Sequence, residues 1–76
     1  MSEIGERVGR VIRARRKKLG LSQGAIASLA GVNRSYLGEI ERGEVDASAA
    51  KLESVAAALG LRLSELVRLY EENRNA

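Results

Sequence analysis

The chain has 76 residues, 13 of them Lys or Arg and 10 Asp or Glu, with no Cys and no His. A chain this short is one domain, 1–76, with a core small enough that a second copy would add to its stability. The absent residue types remove disulfides, thiolate chemistry and the usual zinc ligands, and no apolar run approaches the ~18 residues of a membrane span.

The formal charge of +3 is unevenly spread. Arg7, Arg10, Arg13, Arg15, Arg16, Lys17 and Lys18 fall in the first 20 positions against Glu3 and Glu6 alone, so this end carries +5 and the remainder −2. One basic end suggests a polyanionic partner, with a solvated helix face as the plainer alternative.

Hydrophobic spacing divides the chain into five helices and no strands. Helix 1 runs from Glu3 to Lys18, with Ile4, Val8, Val11, Ile12 and Leu19 at helical intervals. Ser2 can cap its start and Gly20 can end it. Helix 2 follows Ser22, a good N-cap, and carries Ile26, Ala27, Leu29 and Ala30 as its apolar positions. Gly31 breaks it. Helix 3 follows Asn33, turns Leu37 and Ile40 inward, and stops at Gly43. Helix 4 lies between Ala49 and Leu59, where Leu52, Val55, Ala56 and Leu59 follow the i, i+3, i+4, i+7 stripe of an amphipathic helix. Gly60 ends it. Helix 5 begins after Ser64 and runs to Glu72, leaving Asn73–Ala76 as a frayed tail.

Helices 2 and 3, joined through Gly31, form a helix-turn-helix unit. Such a unit places its second helix in the DNA major groove. Arg34, Ser35, Gly38, Glu39 and Arg42 share the outer face of helix 3. Arg34 can donate a bidentate pair to guanine, Ser35 can bond a base or a phosphate, and Glu39 can accept from a cytosine amine. Gly38 would let DNA approach closely. The plainer alternative is ordinary solvation, with Glu39 pairing to Arg42. Tyr36, on the flank, either covers the core edge or offers its hydroxyl to the DNA. The start of helix 2, at Ser22 and Gln23, presents free backbone N–H groups and a positive dipole end suited to phosphate.

The chain strongly resembles the phage repressor/Cro type of helix-turn-helix regulator, the XRE family. The resemblance rests on Arg13 and Arg16, on GLSQ at 20–23, on Ala27, Gly31-Val32 and Arg34-Ser35-Tyr36-Leu37, and on Ile40-Glu41-Arg42-Gly43. Leu52, the run Val55 to Gly60, Leu63 and Leu66 extend it, so that it covers residues 4 to 67. It implies an all-α, compact five-helix domain, dimeric, that reads operator DNA with helix 3. By resemblance, base reading falls on Arg34, Ser35 and Glu39, and phosphate binding on Gln23, Asn33 and Arg42. The pattern departs from the family at Gly24-Ala25, where an acid is common, and at Ala47, where Pro is common; both departures imply weaker helix starts.

Two structural expectations follow. Glu41 lies four residues after Leu37, hence on the inward side of helix 3, and an inward carboxylate needs a partner. The resemblance supplies Arg16. Leu63, Leu66, Val67 and Tyr70 form a stripe on helix 5, with Leu61 and Leu69 beside it, and this apolar surplus suggests a homodimer interface. The alternative is that helix 5 only closes the monomer core and leaves Leu69 exposed.

The expected protein is therefore a sequence-specific regulator that binds a pseudo-palindromic site in double-stranded DNA as a free-standing cytoplasmic homodimer. A module of the antitoxin or partner-binding kind, with DNA contact secondary, is the alternative. No metal, cofactor, small-molecule ligand, membrane contact or enzymatic activity is expected, because neither a Gly-rich phosphate loop nor a carboxylate pair in an evident cleft is present.

Overall fold

The computed structural model describes residues 3–73. It contains α1 (Glu3–Lys18), α2 (Gln23–Ala30), α3 (Arg34–Glu41), α4 (Ala49–Ala58) and α5 (Leu63–Asn73), and no strand among the described residues.

Local chemistry sets most of the boundaries. The Ser22 hydroxyl accepts from the Ala25 N–H at 3.0 Å, the Asn33 carboxamide oxygen from the Tyr36 N–H at 2.7 Å, and the Ser48 hydroxyl from the Lys51 N–H at 3.2 Å. Each satisfies a donor that the helix itself leaves unpaired. Ser22 and Ser48 thus cap α2 and α4, which lack the family's usual acid and proline. The Ser2 cap and residues 74–76 of the tail lie outside the described residues, while Asn73 belongs to α5.

α2 ends in a Schellman turn: Val32 N–H donates to the Ala27 carbonyl at 3.0 Å and Gly31 N–H to that of Ser28 at 3.3 Å. Gly31 takes φ +72° there, a left-handed conformation that costs glycine nothing. Only Gly31, Val32 and Asn33 separate α2 from α3.

The start of α5 differs from expectation. The helix begins at Leu63, because the Glu65 carboxylate reaches back to accept from the Arg62 N–H at 2.9 Å. Ser64 sits inside the helix. The cap is one half of a capping box, built by the residue three places on.

α1 packs on α3 and α5, α2 on α3 and α4, and α4 on α5. Ile12, Ile26, Leu37, Ile40, Val55, Leu59 and Leu66 are the large side chains fully removed from water, with at least one from every helix. Three residues expected on apolar faces stay outside: Ile4 is 60% exposed, Leu19 43% and Leu29 69%. Ile4 precedes the part of α1 that its neighbours cover, Leu19 follows the last turn of α1, and α2 meets its neighbours through Ile26, Ala27 and Ala30, to one side of Leu29.

α1 and α3 touch backbone to backbone. A Cβ on Gly9 would lie 2.3 Å from the Ile40 carbonyl oxygen and 2.6 Å from that of Glu41. Only a residue without a side chain admits this approach, and it brings the end of α3 under the middle of α1.

Candidate nucleic-acid interface

Gly9, Ile12 and Arg16 lie on one face of α1, at spacings of three, four and seven residues. Two turns beyond the Gly9 contact, Arg16 meets the Glu41 side chain. Arg16 Nε donates to Glu41 Oε2 at 2.7 Å and Nη2 to Oε1 at 3.0 Å, while Nη1 donates to the Leu21 carbonyl at 3.0 Å. The Glu41 side chain is only 2% exposed. Burial pushes its carboxyl up, but the hydrogen bonds from Arg16 and Gln23 and the nearby Arg16 and Arg13 charges outweigh that, so it sits below its ordinary range.

Gln23 completes this arrangement. Its Nε2 donates to Glu41 Oε1 at 3.1 Å. Read from sequence as a phosphate donor, Gln23 also fastens the N-terminus of α2 to the end of α3. Among the described residues no buried side-chain polar atom lacks a partner.

Beside this anchor is an open cleft of about 660 Å³ lined by Arg13, Arg16, Ser22, Gln23, Gly24, Arg34, Glu41 and Arg42. With Arg16 paired to Glu41 and Arg42 to Glu44, Arg13 and Arg34 give the cleft its excess of positive charge. The first-turn N–H groups of α2 open beside it with no acidic residue in that turn to oppose an anion.

Arg34 and Ser35 are exposed at the start of α3, and Glu39 is half-exposed one turn on. Asn33 and Ser22 each use one acceptor in a cap, which leaves the amide nitrogen of one and the hydroxyl proton of the other as donors. The Tyr36 ring is half-buried against the core edge. Gly38 departs from expectation. It is buried, with the Arg42 guanidinium above it, so it is not a bare patch of helix. Arg42 pairs with Glu44 rather than with Glu39.

The basic end divides by function. Arg7 is paired to Glu3, Arg15 Nε donates to the Leu59 carbonyl at 3.3 Å, and Arg16 is buried. Arg10, Arg13, Lys17 and Lys18 remain exposed. Arg13 was not singled out as a site residue from sequence. Its place in the basic end, three residues before Arg16 and with it part of the family pattern, was the available signal.

The apolar stripe of α5, expected to form a dimer interface, is only partly exposed. Leu66 turns inward and is 1% exposed. Leu61, Leu63, Leu69 and Tyr70 are half-buried against the core, and Val67 is 44% exposed. α5 therefore closes the monomer core with most of these residues, because it lies across both α1 and α4.

With this geometry in place, similarity to known proteins can be read. A helix-turn-helix (HTH_3) family profile matches residues 12–66. The chain belongs to this family of helix-turn-helix transcription regulators. Helix-turn-helix relatives include the immunity repressor of Bacillus phage phi105, 45% identical over 60 residues that make up 79% of this chain and 42% of the repressor. The chain thus spans about two-fifths of that relative's length. The control protein C.MunI of a Mycoplasma species is 39% identical over 67 residues, 87% of this chain and 90% of its own. Among solved structures, the restriction–modification controller protein C.AhdI of Aeromonas hydrophila superposes with a TM-score of 0.79 at 37% identity, covering 82% of this chain and 94% of that one. These relatives are regulators rather than enzymes. No helix among the described residues is long and apolar enough to cross a membrane.

Proposed function

We propose that the chain is a sequence-specific transcriptional regulator that binds double-stranded DNA as a homodimer, with one α3 in the major groove of each half of a pseudo-palindromic operator. The observation that carries this reading is the cleft that sets Arg34 on α3 beside the open N-terminus of α2, with Arg13 on its rim. Such a pairing offers base contacts from one helix and phosphate contacts from the other. Arg34, Ser35 and Glu39 read bases. Ser22, Gln23, Asn33 and Arg13 hold phosphates and set the register. A phage immunity repressor and restriction–modification controllers among the relatives support a regulatory role at operators.

Selection of bound duplexes from a random pool, followed by sequencing, tests this directly. A two-fold dimer should return an inverted repeat with half-sites about one helical turn, ~34 Å, apart. Binding should weaken steeply with salt as phosphate counterions are released. Arg34→Ala should cost about 1–3 kcal/mol on the selected site and relax preference at one base pair per half-site. Recovery of no common sequence, or a preference for single strands, rules the reading out.

For the dimer, the outer surface of α5 offers Val67 among Ser64, Arg68, Glu71 and Glu72. A two-fold contact places the same patch against itself, so an arginine can face a glutamate from the other copy. Val67→Glu adds a carboxylate at the centre of that contact. It should give folded monomers by analytical ultracentrifugation, with operator binding weakened at least tenfold. Dimers that persist unchanged would place the interface elsewhere.

A further inference from the structure

Arg42 does not leave the end of α3 as an open cation. Its Nε donates to Glu44 Oε2 at 2.8 Å and its Nη2 to Glu44 Oε1 at 3.1 Å. The side chain folds back along the helix: a Cβ on Gly38 would lie 3.0 Å from Nη1 and 3.8 Å from Nη2. The absence of a Cβ at Gly38 gives the guanidinium room to lie this close to the helix. Arg42 also lines the same cleft as Arg34.

Glu44 is held in place by the turn that ends α3. Its N–H donates to the Glu39 carbonyl at 2.9 Å, and the Gly43 N–H to that of Ile40 at 3.1 Å. Gly43 has φ +72°, and a Cβ there would lie 2.6 Å from Glu6 Cγ, so the turn is braced against α1. The braced turn fixes the Glu44 backbone where its carboxylate reaches the Arg42 guanidinium.

A guanidinium has two edges that can each donate a parallel pair of hydrogen bonds. Glu44 takes the Nε–Nη2 edge. Glu44 does not use the Nη1–Nη2 end, which lies beside Gly38 on a side chain that is 56% exposed, and paired donors of this kind match guanine O6 and N7. Resting on the reading of α3 as the DNA-facing helix, we propose that Glu44 is a positioning residue that makes Arg42 a second base-reading arginine. Arg42 then selects one guanine per half-site, in place of the phosphate contact expected from sequence, and Gly38 supplies the space in which it is held.

The test repeats the duplex selection with the wild-type chain, Arg42→Ala and Glu44→Gln, followed by titrations across a salt series. Arg42→Ala should select a site in which one G·C pair per half-site has become indifferent and the rest is kept. Affinity for the wild-type site should fall about 5- to 150-fold, and for a duplex already changed at that pair by less than about twofold. Glu44→Gln keeps the Arg42 charge but loosens its hold, so preference at that same pair should drop several-fold with no shallower salt dependence. Both side chains are well exposed, 56% and 45%, so neither change should unfold the domain. Arg42→Lys, which keeps the charge and lacks the fork, should lose the same single pair.

If Arg42→Ala weakens all duplexes alike and reduces the salt slope by about 1, Arg42 is a phosphate contact and the proposal fails. An unchanged selected site in Arg42→Ala likewise overturns it, while DNA reading by α3 stands. A wild-type chain that selects no duplex sequence overturns the DNA reading and this inference with it.

Discussion

Replacing Glu41 by alanine should remove about 3–5 kcal/mol of stability, the usual effect of deleting one side of a buried ion pair. The Arg16 guanidinium would keep its bond to the Leu21 carbonyl but stay buried without a counter-charge. Domains of this size have a total stability of only ~4–11 kcal/mol at ~0.05–0.15 kcal/mol per residue. The loss is therefore a large share of the whole, visible as a fall in melting temperature of more than ~12 °C. Thermal and urea unfolding measure it. An unchanged melting temperature for Glu41→Ala would show that the pair contributes nothing. The double change Arg16→Met with Glu41→Leu should recover much of the loss, since it removes the stranded charge together with the pair.

The same pair sets a pH dependence. The Glu41 carboxyl is below its ordinary range in the folded chain, so the folded state holds this proton less tightly than the unfolded one. Its contribution is complete above the unfolded pKa of about 4.3 and is lost as pH falls through the folded value. The part of the acid destabilisation due to Glu41 should therefore appear only below about pH 4.3. In Glu41→Gln the low-pH fall in melting temperature should be smaller.

Gly9→Ala should be the other severe change. In an open helix, alanine in place of glycine gains up to about 1 kcal/mol. Here the new Cβ would lie 2.3 Å and 2.6 Å from two carbonyl oxygens of α3. Those are backbone atoms, so no rotamer change relieves the clash and the helices must separate. Overpacking typically costs about 1–3 kcal/mol, and this case belongs at the upper end or beyond. Gly24→Ala is the control. A Cβ there would meet only the Ser22 hydroxyl at 3.8 Å, so it should leave stability unchanged or raised. Urea midpoints compare the two. A raised midpoint for Gly9→Ala would show that α1 and α3 do not approach this closely. Because the same contact seats α3, Gly9→Ala should also weaken operator binding.

How legible this was beforehand depends on the range of the interaction. The start of α2 at Ser22, of α3 at Asn33 and the end of α2 at Gly31 are written in residues within four positions of the boundary. Caps and left-handed turns act over that distance, so the sequence by itself determined five helices and a helix-turn-helix. The start of α5 escaped because the Glu65 carboxylate, not a serine, completes the first turn, and no spacing rule ranks one cap above the other.

The outward face of α3 was equally readable, since Leu37 and Ile40 define the inward side and Arg34, Ser35 and Glu39 follow. The family resemblance pointed to Arg16 as the partner of Glu41, 25 residues away, and the structure has that pair. Tertiary structure decided the rest: Arg15 meets a carbonyl 44 residues away, and composition cannot tell it from Arg10 or Arg13. It also decided that Leu66 fills the core while Val67 stands outside, because α5 crosses two helices at once. Gly9 and Glu44 belong with these. A glycine's purpose is the backbone that approaches it, and a surface carboxylate's is the side chain that a turn brings to it. Both are distances through space, which periodicity along the chain does not encode.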